Sequence, residues 1–201
     1  MSDDPHQALI EAANYFNQAS RARLTRNNRF HPETLILSVS RMAGSLMFRS
    51  FEFDTPLEPG TTVLSEQANV YGPKLMNLMF ATLGQLGNPV GQADIDNDYA
   101  SARLSPLSFK GSLERLAPLY LGYCETTSLG FHDAALGAAI ATGITVHDCS
   151  QVLAAEKGCA LAIYGFVEGT KTAPFPVVPD PEAIRPSPTA KSPKKPWYKP
   201  W

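Results

Sequence analysis

Two His-Asp pairs and one cysteine are the residues of this chain whose types and spacing best suit chemistry. His132 precedes Asp133, His147 precedes Asp148, and Cys149 follows directly. Imidazole and carboxylate groups can hold a metal ion or transfer a proton. A thiol in the first turn of a helix has its thiolate form favoured by the helix dipole, and His147 would be a nearby base. These five residues are therefore the candidate catalytic set.

The two pairs resemble the metal-binding His-Asp doublet of HD-type phosphohydrolases. That resemblance implies a metal-dependent hydrolase, whose two-metal site needs further ligands that converge from separate helices. A continuous helix over residues 132–147 would instead hold the two histidines about 22 Å apart along its axis, too far to share an ion. We therefore expect no metal site and interpret the pairs as helix-end residues, with the hydrolase as an alternative.

Other patterns add no nucleophile and no cofactor site. The three cysteines have no CxxC spacing, which argues against a structural zinc site and a disulfide framework. The glycines form neither of the phosphate-loop patterns GxGxxG and GxxxxGK[ST], and no GxSxG is present. The sequence thus favours a protein without a cofactor and without catalytic activity.

The stretch between the two pairs is the least charged part of the chain. Residues 134–146 carry no charged side chain and are rich in Gly and Ala, with Leu136, Ala139 and Ile140 at helical spacing. Such a helix offers no polar face to water, and its small residues would let neighbouring backbones approach closely. The run is shorter than the roughly 20 residues that cross a bilayer. We predict a buried core helix and no membrane span.

Helical periodicity continues on both sides of this stretch. The predicted helices cover residues 7–27, residues 32–49 with His31 as N-cap, residues 65–86, one or two segments within 99–125, and residues 149–167, of which 161–167 could instead be a strand. Alternating residues at 50–64 favour a short β-hairpin or an ordered loop. The expected fold class is all-α, a compact multi-helix domain over residues 1–170, with or without that hairpin.

The end of the first predicted helix is basic. Arg21, Arg23, Arg26 and Arg29 are spaced closely there. Two interpretations stay open: the cations complement the negative end of the helix dipole, or they form a phosphate-binding patch. No aromatic interleaving or nucleic-acid motif accompanies them, so we expect no nucleic-acid partner.

The C-terminal residues 171–201 differ sharply from the rest in composition. Nine of the 17 prolines follow residue 173, and the segment has a net charge of +4 against −6 for residues 1–170. Such a composition predicts a disordered, polyproline-rich basic tail. Two PxxP spacings, Pro176–Pro179 and Pro193–Pro196, suit aromatic grooves. The predicted partner-binding residues are Pro193, Lys194, Lys195, Pro196, Trp197, Tyr198 and Trp201.

Together these patterns predict a non-enzymatic interaction or adaptor domain that binds a protein partner through its tail. A sensor of small apolar ligands, with a pocket beside the Gly/Ala-rich helix, is a second alternative to the hydrolase. A homo-oligomer stays open. The opening residues are acidic and lack a secretory signal pattern, so the cytoplasm is the expected compartment.

Overall fold

The computed structural model describes residues 5–27, 29–100 and 105–180. In these ranges the chain forms six α-helices joined by loops, and a long loop after the third helix holds two short 3-10 turns. The helices are α1 (Pro5–Leu24), α2 (Pro32–Arg49), α3 (Glu66–Gln85), α4 (Phe109–Thr127), α5 (Phe131–Cys149) and α6 (Ala155–Lys171). The predicted all-α class is confirmed.

Local signals set the start of several helices. The backbone N–H of Thr34 donates to His31 Nδ1 at 3.3 Å, so His31 caps α2 and Pro32 takes the first helical position. Ser65 caps α3 in the same way through its hydroxyl. Pro73 lies inside α3 without ending it. The start predicted for the last helix was wrong, because α5 continues to Cys149 and α6 begins only at Ala155.

Helices α2 and α5 form the centre of the bundle. Every residue of α2 from Thr34 to Phe48 is buried, and α2 packs mainly against α6 and α5. Helix α5 is buried over most of its length, with α1 and α3 against its other sides. Two adjacent buried helices therefore carry the hydrophobic core, and the other four helices cover them.

Helices α2 and α6 touch backbone to backbone. A Cβ added to Gly44 would lie 2.7 Å from the carbonyl oxygen of Phe166 and 2.8 Å from Cα of Gly169. A Cβ added to Gly169 would lie 2.5 Å from the carbonyl oxygen of Arg41, and one at Gly165 would meet the Ser40 hydroxyl. No side chain larger than hydrogen fits at these glycines without moving a helix.

Helix α5 uses glycines in the same way on two further sides. A Cβ on Gly137 would lie 2.9 Å from Cβ of Ala12 in α1. A Cβ on Gly143 would lie 2.9 Å from the carbonyl oxygen of Met79 in α3. The neighbouring helices therefore fill the space beside the Gly/Ala-rich face.

One charged side chain lies in this core. Arg41 of α2 is 1% exposed, and its Nε donates to Glu168 Oε2 at 2.6 Å. Its Nη1 donates to the carbonyl oxygen of Leu107 at 2.8 Å and to Ser112 Oγ at 3.1 Å. The guanidinium therefore ties α2 to α6 and to the start of α4, and the paired carboxylate balances its charge.

Residues 50–64 form no hairpin of their own. Thr62 instead pairs with Thr172, through bonds from Val63 N to the Lys171 carbonyl (2.7 Å) and from Ala173 N to the Thr61 carbonyl (2.9 Å). In place of the hairpin predicted as one option for this segment, the structure has an isolated β-bridge between Thr62 and Thr172. The alternation of residues at 50–64 could not reveal a partner 110 positions later.

The chain stays on the helical domain beyond residue 170. Lys171 is the last residue of α6, and Ala173 is buried. The carbonyl oxygen of Phe175 accepts from Arg49 Nη2 at 3.1 Å, and the Asp180 N–H donates to the carbonyl oxygen of Pro118 at 2.8 Å. We call residues 172–180 the tail root and residues 181–201, which lie outside the described residues, the distal tail. The boundary placed at residue 171 thus lies inside α6, and the contacts of the domain extend to Asp180.

The contact of α2 with α6 predicts the effect of one added methyl group. Gly44→Ala should lower the free energy of unfolding by about 1–3 kcal/mol, because its Cβ must push α6 away. Gly84→Ala is the matched control, since Gly84 is exposed near the end of α3 with nothing within 4 Å of an added Cβ. This control should gain up to about 1 kcal/mol from helix propensity. Urea unfolding of both variants measures the difference, and equal effects would contradict the close approach.

Candidate functional site

The two His-Asp pairs lie at opposite ends of α5. His132 and Asp133 are in its first turn, and His147 and Asp148 in its last, so about 22 Å of helix separates the two imidazoles. The structure therefore does not bring the four predicted site residues together.

Each pair has local partners instead. His132 Nδ1 lies 3.1 Å from Asp133 Oδ1, and the His132 ring packs edge-on against Tyr71 at 5.7 Å. Asp148 forms an ion pair with Arg21 of α1 at 3.1 Å. Across residues 5–27, 29–100 and 105–180, no three His, Cys, Asp or Glu side chains lie close enough together to hold a metal ion. This geometry gives no support to a two-metal hydrolase.

Burial opposes a nucleophilic role for Cys149. Its side chain is fully buried, which raises the pKa of the thiol to about 11, although the charge of Arg21 acts in the opposite direction. Burial also raises the pKa of Cys124 to about 11 and that of Cys159 to about 12. A thiol with such a pKa is protonated at neutral pH, and the protonated form is a poor nucleophile.

A groove beside the tail root is one of the concave sites on the domain. This tail-root groove has a volume of about 550 Å³, and its lining includes Phe109, Lys110, Tyr164, Glu168 and Phe175. The Lys110 ammonium lies 5.4 Å from the centre of the Phe175 ring. Because Phe175 belongs to the tail root, the tail root itself forms one wall of this groove.

A second concave site lies at the basic end of α1. This arginine pocket has a volume of about 450 Å³. Its cationic side chains are those of Arg26, Arg29 and Arg115, and its apolar lining includes Leu24, Phe30 and Leu107. Two of the four arginines noted in the sequence therefore face one cavity, while Arg21 pairs with Asp148.

Sequence reasoning missed two arginines that the fold makes important. Arg115 joins the arginine pocket from α4, and Arg41 lies in the core. The sequence did hold one signal for the buried ion pair of Arg41 with Glu168, because Arg41 is a charged residue on an otherwise apolar helix face. No local signal links Arg115 to Arg26 and Arg29, since nearly 90 residues separate them.

The predicted partner-binding residues of the distal tail lie outside the described residues. They are Pro193, Lys194, Lys195, Pro196, Trp197, Tyr198 and Trp201. Their role therefore stays a prediction from the sequence. The last residue before them that the structure describes is Asp180.

The raised thiol pKa values predict low reactivity in the folded protein. At about pH 8, a thiol-disulfide reagent should modify the three cysteines slowly in buffer and rapidly in denaturant. Deprotonation of Cys149 becomes substantial only near its raised pKa of about 11. The rate at which the folded protein is labelled should therefore increase as the pH is raised from about 8 toward that pKa. Rapid labelling of Cys149 at neutral pH would contradict this assignment and support a reactive thiolate.

Comparisons with known proteins supply no family for this chain. No family model, no curated protein and no solved structure matches it. Of the helices in the described part of the chain, none is long and apolar enough to span a bilayer.

Proposed function

We propose that this protein is a non-enzymatic interaction module whose helical domain anchors a partner-binding tail. In this proposal the domain fixes the tail root, and the distal tail contacts a protein partner. The cytoplasm is the compartment we favour, because the three free, buried cysteines suit a reducing environment.

The anchoring of the tail root is the observation that carries the proposal. The Asp180 N–H donates to the carbonyl oxygen of Pro118, a carbonyl near the middle of α4. Gly122, one turn later in α4, has no Cβ, and a Cβ there would collide with the carbonyl of Asp180. These contacts fix the position of Asp180 on the domain, as the anchor of a tether requires.

The distal tail has the chemistry for partner binding. In a polyproline helix of three residues per turn, Pro193 and Pro196 lie on the same face, where an aromatic-lined groove can grip them. Lys194 and Lys195 between them would favour a groove with an acidic rim. Trp197 adds a large aromatic side chain of the kind that anchors interfaces. The partner we expect is thus a polyproline-binding domain with acidic residues beside its groove.

The two alternatives lack comparable support. The hydrolase needs His132 and His147 in one site, and these residues lie at opposite ends of α5. The apolar-ligand sensor needs space beside the Gly/Ala-rich face, and α1 and α3 contact that face at Gly137 and Gly143. We therefore place the binding function in the tail.

The two tryptophans of the chain provide a specific probe of the distal tail. The sequence contains two tryptophans, Trp197 and Trp201, and both lie there. Full-length protein labelled with 5-fluorotryptophan should therefore give two ¹⁹F signals, both from the distal tail. Titration with an unlabelled panel of SH3, WW and EVH1 domains should shift these signals saturably for at least one domain, because the unlabelled partner contributes no fluorine signal.

The matched control is the chain that ends at Asp180. It keeps the tail root, whereas a chain ending at Thr170 would lose the buried Ala173 and the contacts of Phe175. Calorimetry should show binding of the responding domain to the full chain and none to the shortened one. In the full chain, the double substitution Pro193→Ala, Pro196→Ala should weaken the affinity for the responding domain at least about tenfold, or about 1.4 kcal/mol. Equal binding by the shortened chain, or no response from any domain of the panel, would contradict the proposal.

A further inference from the structure

We propose that the arginine pocket binds an anion, a phosphate or a carboxylate, carried on an apolar body. The described lining residues of this site do not belong to the tail, and the site does not depend on the proposed function. Three observations support it: the placement of the cations, the lack of carboxylate partners for them among the described residues, and the mixed lining of the pocket.

The turn between α1 and α2 places two arginines side by side. Arg26 N donates to the Arg29 carbonyl at 2.8 Å, and Arg29 N donates to the Arg26 carbonyl at 2.9 Å. Asn27 has φ of +50°, a left-handed conformation that asparagine tolerates in tight turns. Residues paired in this way point their side chains to the same face, with Cβ atoms about 5 Å apart. The two guanidinium groups therefore extend from neighbouring positions toward one cavity.

These two arginines and Arg115 have no ion-pair partner among the residues that the structure describes. Nor does any of the three form a side-chain hydrogen bond with those described residues. Arg21 and Arg41, in contrast, contact Asp148 and Glu168. Residue 28 and residues 101–104, which lie outside the described ranges, include no acidic residue in the sequence.

Two acidic side chains, Glu33 and Glu114, are adjacent in sequence to residues that line the pocket, and both have other partners. Glu114 Oε1 lies 3.8 Å from Lys110 Nζ, and Glu33 has two partners. Its carboxylate accepts from the Tyr99 hydroxyl at 3.0 Å and lies 3.3 Å from His31 Nδ1. The three arginines therefore repel one another across the cavity without a counter-ion from the described chain. An anion in the pocket would relieve that repulsion and accept charge-assisted hydrogen bonds.

The start of α2 adds to the positive potential. His31, the N-cap residue of α2, lines the pocket, and the 18-residue helix begins at Pro32. The positive end of the helix dipole therefore lies beside the three guanidinium groups and favours a negative ligand.

The apolar lining and the volume define the rest of the ligand. Leu24, Phe30 and Leu107 present hydrocarbon to the cavity beside the arginines. The volume of about 450 Å³ falls in the range of small-molecule sites, about 300–1,000 Å³. A bare inorganic ion would leave this apolar surface uncovered, so the site suits an anionic group with an aromatic or aliphatic body. The distal tail is basic and does not fit this description.

Four probes separate the two parts of the proposed ligand. Phenyl phosphate and benzoate carry an anion and a ring, inorganic phosphate lacks the ring, and benzyl alcohol lacks the charge. In calorimetric titrations of the full-length protein, we expect phenyl phosphate or benzoate to bind at least about tenfold more tightly than the other two probes. The tighter of the two anions identifies the head group. Binding of benzyl alcohol with equal affinity, or no binding of either anionic ring compound, would overturn the proposal.

Single variants assign the binding to the pocket. Arg26→Gln, Arg29→Gln and Arg115→Gln should each weaken the binding of the tighter anion about tenfold or more, through the loss of a charge-assisted hydrogen bond. Arg23→Gln is the matched control, because Arg23 is an exposed arginine of the same helix end and does not line the pocket. The control should bind the anion as the unaltered protein does. An equal loss in Arg23→Gln would show a diffuse charge effect and overturn the site.

The melting temperature gives a readout that separates binding from folding. Without added anion, removal of one of three mutually repelling charges should leave the melting temperature of each Gln variant unchanged or slightly raised. With added anion, the unaltered protein should be stabilised more than the variants. A lower melting temperature of all three variants without anion would indicate a structural role for the arginines and contradict the proposal.

Discussion

The direct backbone contact between α2 and α6 is the constraint on which the rest of the structure depends. Gly44 and Gly169 bring the two helices so close that a methyl group on either would collide with main-chain atoms of the other helix. Dispersion contacts and exclusion of water then extend along both helices, with each backbone hydrogen bond kept inside its own helix. The buried Arg41 reinforces the same pair through Glu168. The bundle is therefore organised around a seam of small residues, and large side chains fill the space beside it.

This packing leaves little room for chemistry inside the domain. The Gly/Ala-rich face of α5 is covered by α1 and α3, and the thiol of Cys149 is buried and protonated at neutral pH. His132 and Asp148 lie at the helix ends. Charged and aromatic side chains line two concave sites on the surface of the domain, the arginine pocket and the tail-root groove. The proposed binding functions accordingly lie in the arginine pocket on the surface and in the distal tail, outside the closely packed core.

The sequence was most informative where the determinants are local. The N-cap His31 and the following proline defined the start of α2, and the uncharged run between the His-Asp pairs indicated a helix where α5 is found. Distant pairings were not predictable: Thr62 pairs with Thr172, and Arg115 joins the arginine pocket from another helix. The glycines of α6 are its contact points with α2 and α5, a role that their positions in the sequence do not reveal. Composition likewise does not reveal the hydrogen bonds that hold the tail root on the domain.

The close contact of α2 with α6 requires a short distance between the backbones of Gly44 and Gly169. In the NMR spectrum of the full-length protein, nuclear Overhauser effects should connect the α-protons of Gly44 with those of Gly169, since a Cβ on Gly44 would lie only 2.8 Å from Cα of Gly169. Strong cross-peaks between these two glycines are the predicted result. If the folded, helical protein gave no such cross-peaks, side chains would separate α2 from α6. The direct backbone contact at Gly44 and Gly169 would then be contradicted.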